Sequence, residues 1–212
     1  MKEKLLAALK WFYKSFIWLF VVLLALDIVT KQIILSFKAA PGSVIADWGI
    51  VRISYVLNEN AAFGLGASNP DVSRTLYLIV ASVVSIGLIV YLILKRKETK
   101  LIIRACLVLI ITGAIGNMID RIFYGGAQYD KSVLFTGSVV DWIDFYWFWP
   151  FVFNIADCCI VIAAFMLVIY IIVIEVKEMI ARRNAELAAF QAKDAEDNKE
   201  EQPASEENND SK

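Results

Sequence analysis

The chain has 212 residues, 59% of them hydrophobic, a net charge of −1 and no histidine, and its mean hydropathy is +0.61. So apolar a composition excludes an ordinary soluble domain and marks an integral membrane protein. Without histidine, Ser-His, Cys-His and histidine–zinc chemistries are excluded, and paired carboxylates become the leading acid–base groups.

Residues 15–36 form the first predicted span, interrupted only by Asp27 and Lys31, with Lys2, Lys4, Lys10 and Lys14 before it. No small-x-small cleavage site follows, so it reads as an uncleaved helix. Asp27 and Lys31 stand four apart on one helix face and can pair, which lowers the cost of either charge in lipid. Next, Val51, Ile53, Tyr55 and Leu57 alternate with Arg52, Ser54 and Val56, after turn chemistry at Pro41–Gly42, Asp47 and Gly49. This alternation predicts a half-buried strand in a small outer sheet. Asn58-Glu59-Asn60-Ala61-Ala62-Phe63-Gly64 follows. Its small residues beside asparagine amides suit close approach to an extended peptide, although an ordinary turn has the same composition.

Residues 75–94 carry no charge, and 20 residues at ~1.5 Å each cross a ~30 Å hydrocarbon core. The third span, 101–119, is interrupted only by Arg104 and runs into Gly113-Ala-Ile-Gly116-Asn117-Met-Ile-Asp120-Arg121. Gly113, Gly116 and Asn117 share a face, where small residues let helices approach in lipid. Asn117, Asp120 and Arg121 lie three and four apart, so Arg121 is oriented by its neighbours. Residues 124–138 read as a mobile loop. Val139-Val140-Asp141 and a run of aromatic residues from Trp142 to Phe153 follow; the rings have the density of a membrane-interface belt. The fourth span, 154–174, carries only Asp157. Cys106, Cys158 and Cys159 fall within spans without CxxC spacing and read as buried thiols. Residues 194–212 hold eight acidic residues against Lys199 and Lys212, so a disordered tail is expected, and removing its net −6 leaves a body of about +5.

This pattern predicts an all-α membrane fold of four transmembrane helices with a small extracytoplasmic β-cradle. Residues 1–180 are expected to form the membrane domain, with outer segments 37–73 and 121–152, and residues 181–212 an acidic, disordered cytoplasmic tail. Lysine and arginine concentrate before span one, between spans two and three (Lys95, Arg96, Lys97, Lys100) and after span four (Lys177, Arg182, Arg183). Both termini are therefore expected in the cytoplasm.

Asp141 and Asp157 then lie at the outer edge, where an ionisable group marks a functional site. If the two meet, both cannot ionise in a low-dielectric site and one pKa is forced up. Such a dyad can activate water against a peptide carbonyl and protonate the leaving amine. Asn154, three residues before Asp157, can steer that carboxyl, while Asp144 is a rival partner for Asp141.

Together, Asp27-x-x-Thr30-Lys31, Asn58…Ala61-Ala62-Phe63, Gly113-x-x-Gly116-Asn117-x-x-Asp120-Arg121, Val140-Asp141 and Phe153-Asn154-x-Ala156-Asp157 resemble the lipoprotein signal peptidase family, signal peptidase II, over about residues 12–175. The resemblance implies a membrane aspartyl protease with Asp141 and Asp157 as its catalytic pair. It implies supporting roles for Asp27, Lys31, Asn58, Asn117, Asp120, Arg121 and Asn154, with no metal and no cofactor. Diacylglyceryl-modified prolipoproteins would be cut immediately before the lipidated cysteine, at the outer face of a bacterial cytoplasmic (inner) membrane. Membrane lipids and globomycin-type inhibitors are the other implied partners; nucleic acid is not. Asn60 stands where the family usually has glycine, and the stretch from Arg121 to Val139 is longer than expected.

Three other readings fit parts of the residue pattern. A proton- or ion-coupled transporter subunit would spread Asp27, Lys31, Asp120 and Asp157 through the bilayer, whereas all read as lying near outer span ends. A Ser36–Lys31 protease leaves the two aspartate motifs without a role. A zinc site lacks histidine and suitable cysteine spacing.

Overall fold

The computed structural model describes residues 2–59, 70–123, 135 and 137–200. Among the described residues are five helices: α1 (Lys2–Ser15), α2 (Ile17–Ser36), α3 (Pro70–Lys95), α4 (Leu101–Phe123) and α5 (Ile155–Glu200). Four of them, α2 to α5, are long and apolar enough to cross a membrane. The four-span expectation is met. Residues 60–64 of the Asn58–Gly64 motif, residues 124–134 and 136 of the expected loop, and residues 201–212 lie outside the described residues.

The first span differs from its expected bounds because two helices meet there. Phe16 takes a left-handed conformation (φ 57°) between α1 and α2, which non-glycine residues adopt rarely and which stops a right-handed helix. No proline or glycine marks this break in the sequence.

The chain divides into two compact units, Met1–Leu167 and Val168–Lys212. Within the first, α4 is the central helix: 56% of its apolar window is buried, against 17% or less for the others. Cys106 and Leu109 of α4 pack with Cys159 and Ala163 of α5, and Leu19 and Leu23 of α2 lie against them. The cysteines are free, and two of the three are buried, as hydrophobic packing requires. Gly113 and Gly116 bring α4 onto α5. A Cβ at Gly113 would collide with the Ala156 carbonyl oxygen and lie 2.5 Å from Ile160 Cγ1, while one at Gly116 would lie 2.7 Å from Asp27 Oδ2. Backbone cannot yield as a side chain tip does. Gly113→Ala is therefore expected to destabilise the fold by about 1–3 kcal/mol, as overpacking does, read as a lower unfolding temperature in detergent; an unchanged temperature would refute the close approach.

Four antiparallel strands form one sheet in the order β1 (Ser43–Asp47), β2 (Arg52–Asn58), β3 (Val139–Asp144) and β4 (Val152–Phe153). The expected strand is β2. β3 was hidden in the sequence because Val139, Val140 and Asp141 are all buried, so no alternation of polarity announces it. Ile34 near the end of α2 packs with Tyr55 and Val140, and this cluster fixes the sheet over one end of the bundle.

The expectation of a disordered tail from residue 181 needs correction, since α5 continues to Glu200. Residues 181–200 are rich in alanine, glutamate, arginine and lysine, all strong helix formers, and contain neither proline nor glycine. Charge content argued for disorder, and helix propensity prevailed.

Candidate active site

Asn154 leaves β4 and caps α5. Its Oδ1 accepts from the backbone N–H of Asp157 (2.9 Å), and Asp157 Oδ2 accepts from the backbone N–H of Asn154 (3.2 Å). This reciprocal cap satisfies two helix-end donors and holds a carboxylate in the first turn, where the helix dipole favours it. The cap leaves the Asn154 amide nitrogen free to reach across to β3. It donates to Asp141 Oδ1 (2.7 Å) and contacts Asn117 Oδ1 (3.0 Å) and the Val140 carbonyl (3.4 Å). One asparagine therefore touches both aspartates.

Asp141 is buried, and its second oxygen accepts from Asn58 Nδ2 (3.0 Å) at the end of β2. Burial and the neighbouring Asp157 carboxylate push the Asp141 carboxyl up to about 8, against the opposing pull of Asn58, Lys31 and Asn154. Asp157 is only partly buried, so the pair is approached from its side. Asp144, the rival partner, sits three residues along a strand, and alternation turns it to the opposite face. There it accepts from Ser54 Oγ (2.8 Å).

Beneath the pair is an ion cluster. Lys31 Nζ lies 2.7 Å from Asp27 Oδ2 and 2.9 Å from Asp120 Oδ2, all essentially inaccessible. Each carboxylate also takes a backbone donor: Ala156 N–H to Asp27 (2.9 Å) and Val140 N–H to Asp120 (3.3 Å). These bonds tie α2 and α4 to the starts of α5 and β3. Asn117 links the cluster to the pair, accepting from Lys31 (3.3 Å) and donating to Asp157 Oδ1 (2.7 Å). Four carboxyls and two cations (Lys31 and Arg121) are thus gathered in a low-dielectric site, an excess of negative charge that one retained proton reduces.

All nine singled-out residues come together. One placement differs: Asp27 lies midway along α2, not near its outer end. The last turns of α2 rise beside the sheet, with Ile34 against Tyr55, so mid-helix on α2 is level with the ends of α4 and α5. Asp27, Lys31 and Asp120 close on one another instead of spacing out as a relay would. Ser36 is exposed and donates to the Ile33 carbonyl (2.6 Å), while Asp27 and Asp120 hold the Lys31 ammonium. Among the described residues, no group of His, Cys, Asp or Glu is arranged to hold a metal ion.

The sequence reading missed Tyr77. The Arg121 guanidinium sits 3.9 Å over its ring, a cation–π contact that fixes a buried cation. Arg121 also donates to the Asn117 carbonyl (3.3 Å). A tyrosine in an uncharged span carries no signal of its own. Only its approach from α3 to the end of α4 reveals it.

The signal peptidase (SPase) II family model matches residues 19–173. A lipoprotein signal peptidase of Fusobacterium nucleatum is 34% identical over 155 residues, covering 73% of this chain and 84% of its own length. One from Haemophilus influenzae is 34% identical over 158 residues, covering 73% and 84%. A bacterial membrane enzyme solved by the in meso method at 2.3 Å resolution superposes with a TM-score of 0.58 at 27% identity, over 74% of this chain and 86% of its own.

Proposed function

The chain belongs to the signal peptidase II family, and on that premise we propose that it is a membrane aspartyl endopeptidase acting through Asp141 and Asp157. Its substrates are diacylglyceryl-modified prolipoproteins, cut immediately before the lipidated cysteine. One observation carries the reading: Asn154 donates its side-chain N–H to Asp141 and its backbone N–H to Asp157, so a single residue holds both carboxyls, and burial with the Asp157 charge raises Asp141 against those donors. The ionised carboxylate takes a proton from water as its oxygen bonds to the scissile carbonyl carbon. The protonated carboxyl then gives its proton to the amine as the C–N bond breaks. Purified protein incubated with a lipidated prolipoprotein is expected to yield the shortened product, and the unlipidated precursor is expected to stay intact. Equal cleavage of both would overturn the substrate assignment. Globomycin-type inhibitors are expected to block the lipidated reaction.

The pH dependence follows from the raised carboxyl. Asp141 keeps its proton until about pH 8, so the working state, one proton on the pair, is lost as pH rises through that value. At the acid end it is lost again when the second carboxyl takes a proton. Cleavage is therefore expected to be bell-shaped, with its alkaline limb near pH 8, and insensitive to chelators. A rate still rising above pH 9 would contradict the shared proton.

The same reading places both termini in the cytoplasm and the pair at the outer face, supported by the lysines and arginines at residues 95–100 and 177–183. A reporter fused after residue 98 is expected to signal cytoplasm, and one near residue 45 the outside; the reverse pattern would invert the assignment.

A further inference from the structure

The joint between α1 and α2 is held by hydrogen bonds on the last carbonyls of α1. Phe16 takes its left-handed conformation there. Ser15 Oγ donates to the Phe12 carbonyl (2.6 Å), and both the Phe16 N–H (3.3 Å) and the Trp18 indole N–H (3.2 Å) donate to the Tyr13 carbonyl. Arg104 Nη1 donates to the Lys14 carbonyl (2.8 Å). A helix end with its carbonyls so satisfied is a built stop.

Arg104 also fixes the level of this joint. Its Nη2 donates to the Arg96 (2.5 Å) and Thr99 (3.0 Å) carbonyls in the turn between α3 and α4. That turn joins two spans through Arg96, Lys97, Glu98, Thr99 and Lys100, so it lies at the membrane surface, where irregular backbone finds water. The end of α1 lies beside it. Tyr13 stacks on Trp18 across the joint, with ring centroids 6.1 Å apart, and headgroup depth is where such rings gather.

From that level α1 presents an apolar stripe. Leu5, Leu6, Phe12 and Tyr13 are 62%, 55%, 44% and 64% exposed, and at ~100° per residue they fall within an arc of about 120°. Lys4 and Lys14, also exposed, fall on the other side. A helix of 14 residues is marginal alone in water, where about 12–15 residues are the least that hold. It needs a surface to cover its stripe. A second copy would set two basic helices together, each with Lys2, Lys4, Lys10 and Lys14 against Glu3, a net +3. An anionic surface turns the same charge into attraction.

We propose that α1 is an interfacial helix lying on an anionic lipid surface, its stripe sunk to the upper acyl carbons and its lysines on lipid phosphates. A one-sided apolar stripe backed by lysine is the pattern of a helix that lies on a membrane instead of crossing it. The lysine excess selects anionic over zwitterionic headgroups. Lys2, at the first position, falls on the stripe side, and its long stem lets the ammonium reach the headgroups from there.

Hydrogen exchange of the full chain, held as single copies in lipid nanodiscs, tests this. Amides of residues 2–15 are expected to exchange about tenfold more slowly with phosphatidylglycerol in the disc than with phosphatidylcholine alone. Leu5→Glu/Leu6→Glu is expected to remove that slowing, because charge on the stripe bars it from the acyl region. Lys2→Gln/Lys4→Gln leaves the stripe intact and is expected to cut the ratio between the two lipids to about threefold. All four positions are exposed, and unchanged exchange in α2 to α5 reports in the same run that each variant is folded. Equal exchange in the two discs would overturn the anionic surface. Slowing that survives Leu5→Glu/Leu6→Glu would overturn it too, since α1 would then rest on protein.

Discussion

Replacing Asp141 or Asp157 by asparagine is expected to reduce prolipoprotein cleavage about a thousandfold, on the order of 4 kcal/mol in barrier. An amide can neither take the proton of the attacking water nor return one to the leaving amine. The fold is expected to survive both changes, for a reason the geometry supplies. At neutral pH the Asp141 carboxyl already carries a proton, held there by burial and the adjacent Asp157. Asparagine is close to isosteric with that neutral acid, and its carbonyl oxygen can keep one of the two bonds, from Asn154 or from Asn58. Gel-shift assays of the shortened product, run beside thermal unfolding in detergent, separate the two effects. Asp144→Asn serves as the control and is expected to keep activity within about twofold, roughly 0.4 kcal/mol, since its side chain meets Ser54 on the other face of the strand. Full activity in either dyad variant would end the proposal.

The second large effect is on stability. Lys31→Met is expected to cost about 3–5 kcal/mol, because it leaves Asp27 and Asp120 as unpaired buried carboxylates. Neutralising all three, as Asp27→Asn/Lys31→Met/Asp120→Asn, is expected to recover much of that loss, since the penalty lies in the uncompensated charge more than in the missing contact. Denaturant unfolding in detergent reads both variants. If Lys31→Met alone unfolds at the wild-type midpoint, the ion cluster does not brace the site. The cluster matters for chemistry as well as stability. Its backbone bonds from Ala156 and Val140 set the starts of α5 and β3, and these two elements carry Asp157 and Asp141.

Some of this architecture was legible because it is written in local periods. Charge-free runs of span length announced the helices, and polar–apolar alternation announced β2. Asn154-x-x-Asp157 is a capping pattern, and its spacing of three survives in the structure as a reciprocal cap. Gly113 and Gly116 foretold close helix packing, and both meet Ala156 of α5.

By itself, then, the sequence determined the four spans, the absence of histidine chemistry and the nine polar residues from which a site had to be assembled. Each of these depends on residue identity or short-range spacing. Tertiary structure decided what depends on partners distant in the chain. Asp144 was excluded once residues 139–144 proved to be a strand, because a separation of three puts side chains on opposite faces there and on the same face in a helix. Asp27 proved level with Asp120 because α2 rises past the end of the bundle to meet the sheet. Tyr77 entered the site only through the approach of α3 to α4, and the break at Phe16 has no residue-level signal. Residues 181–200 form helix because propensity outweighed the charge that argued for disorder. A sequence period states which residues share a face; only packing states which face they meet.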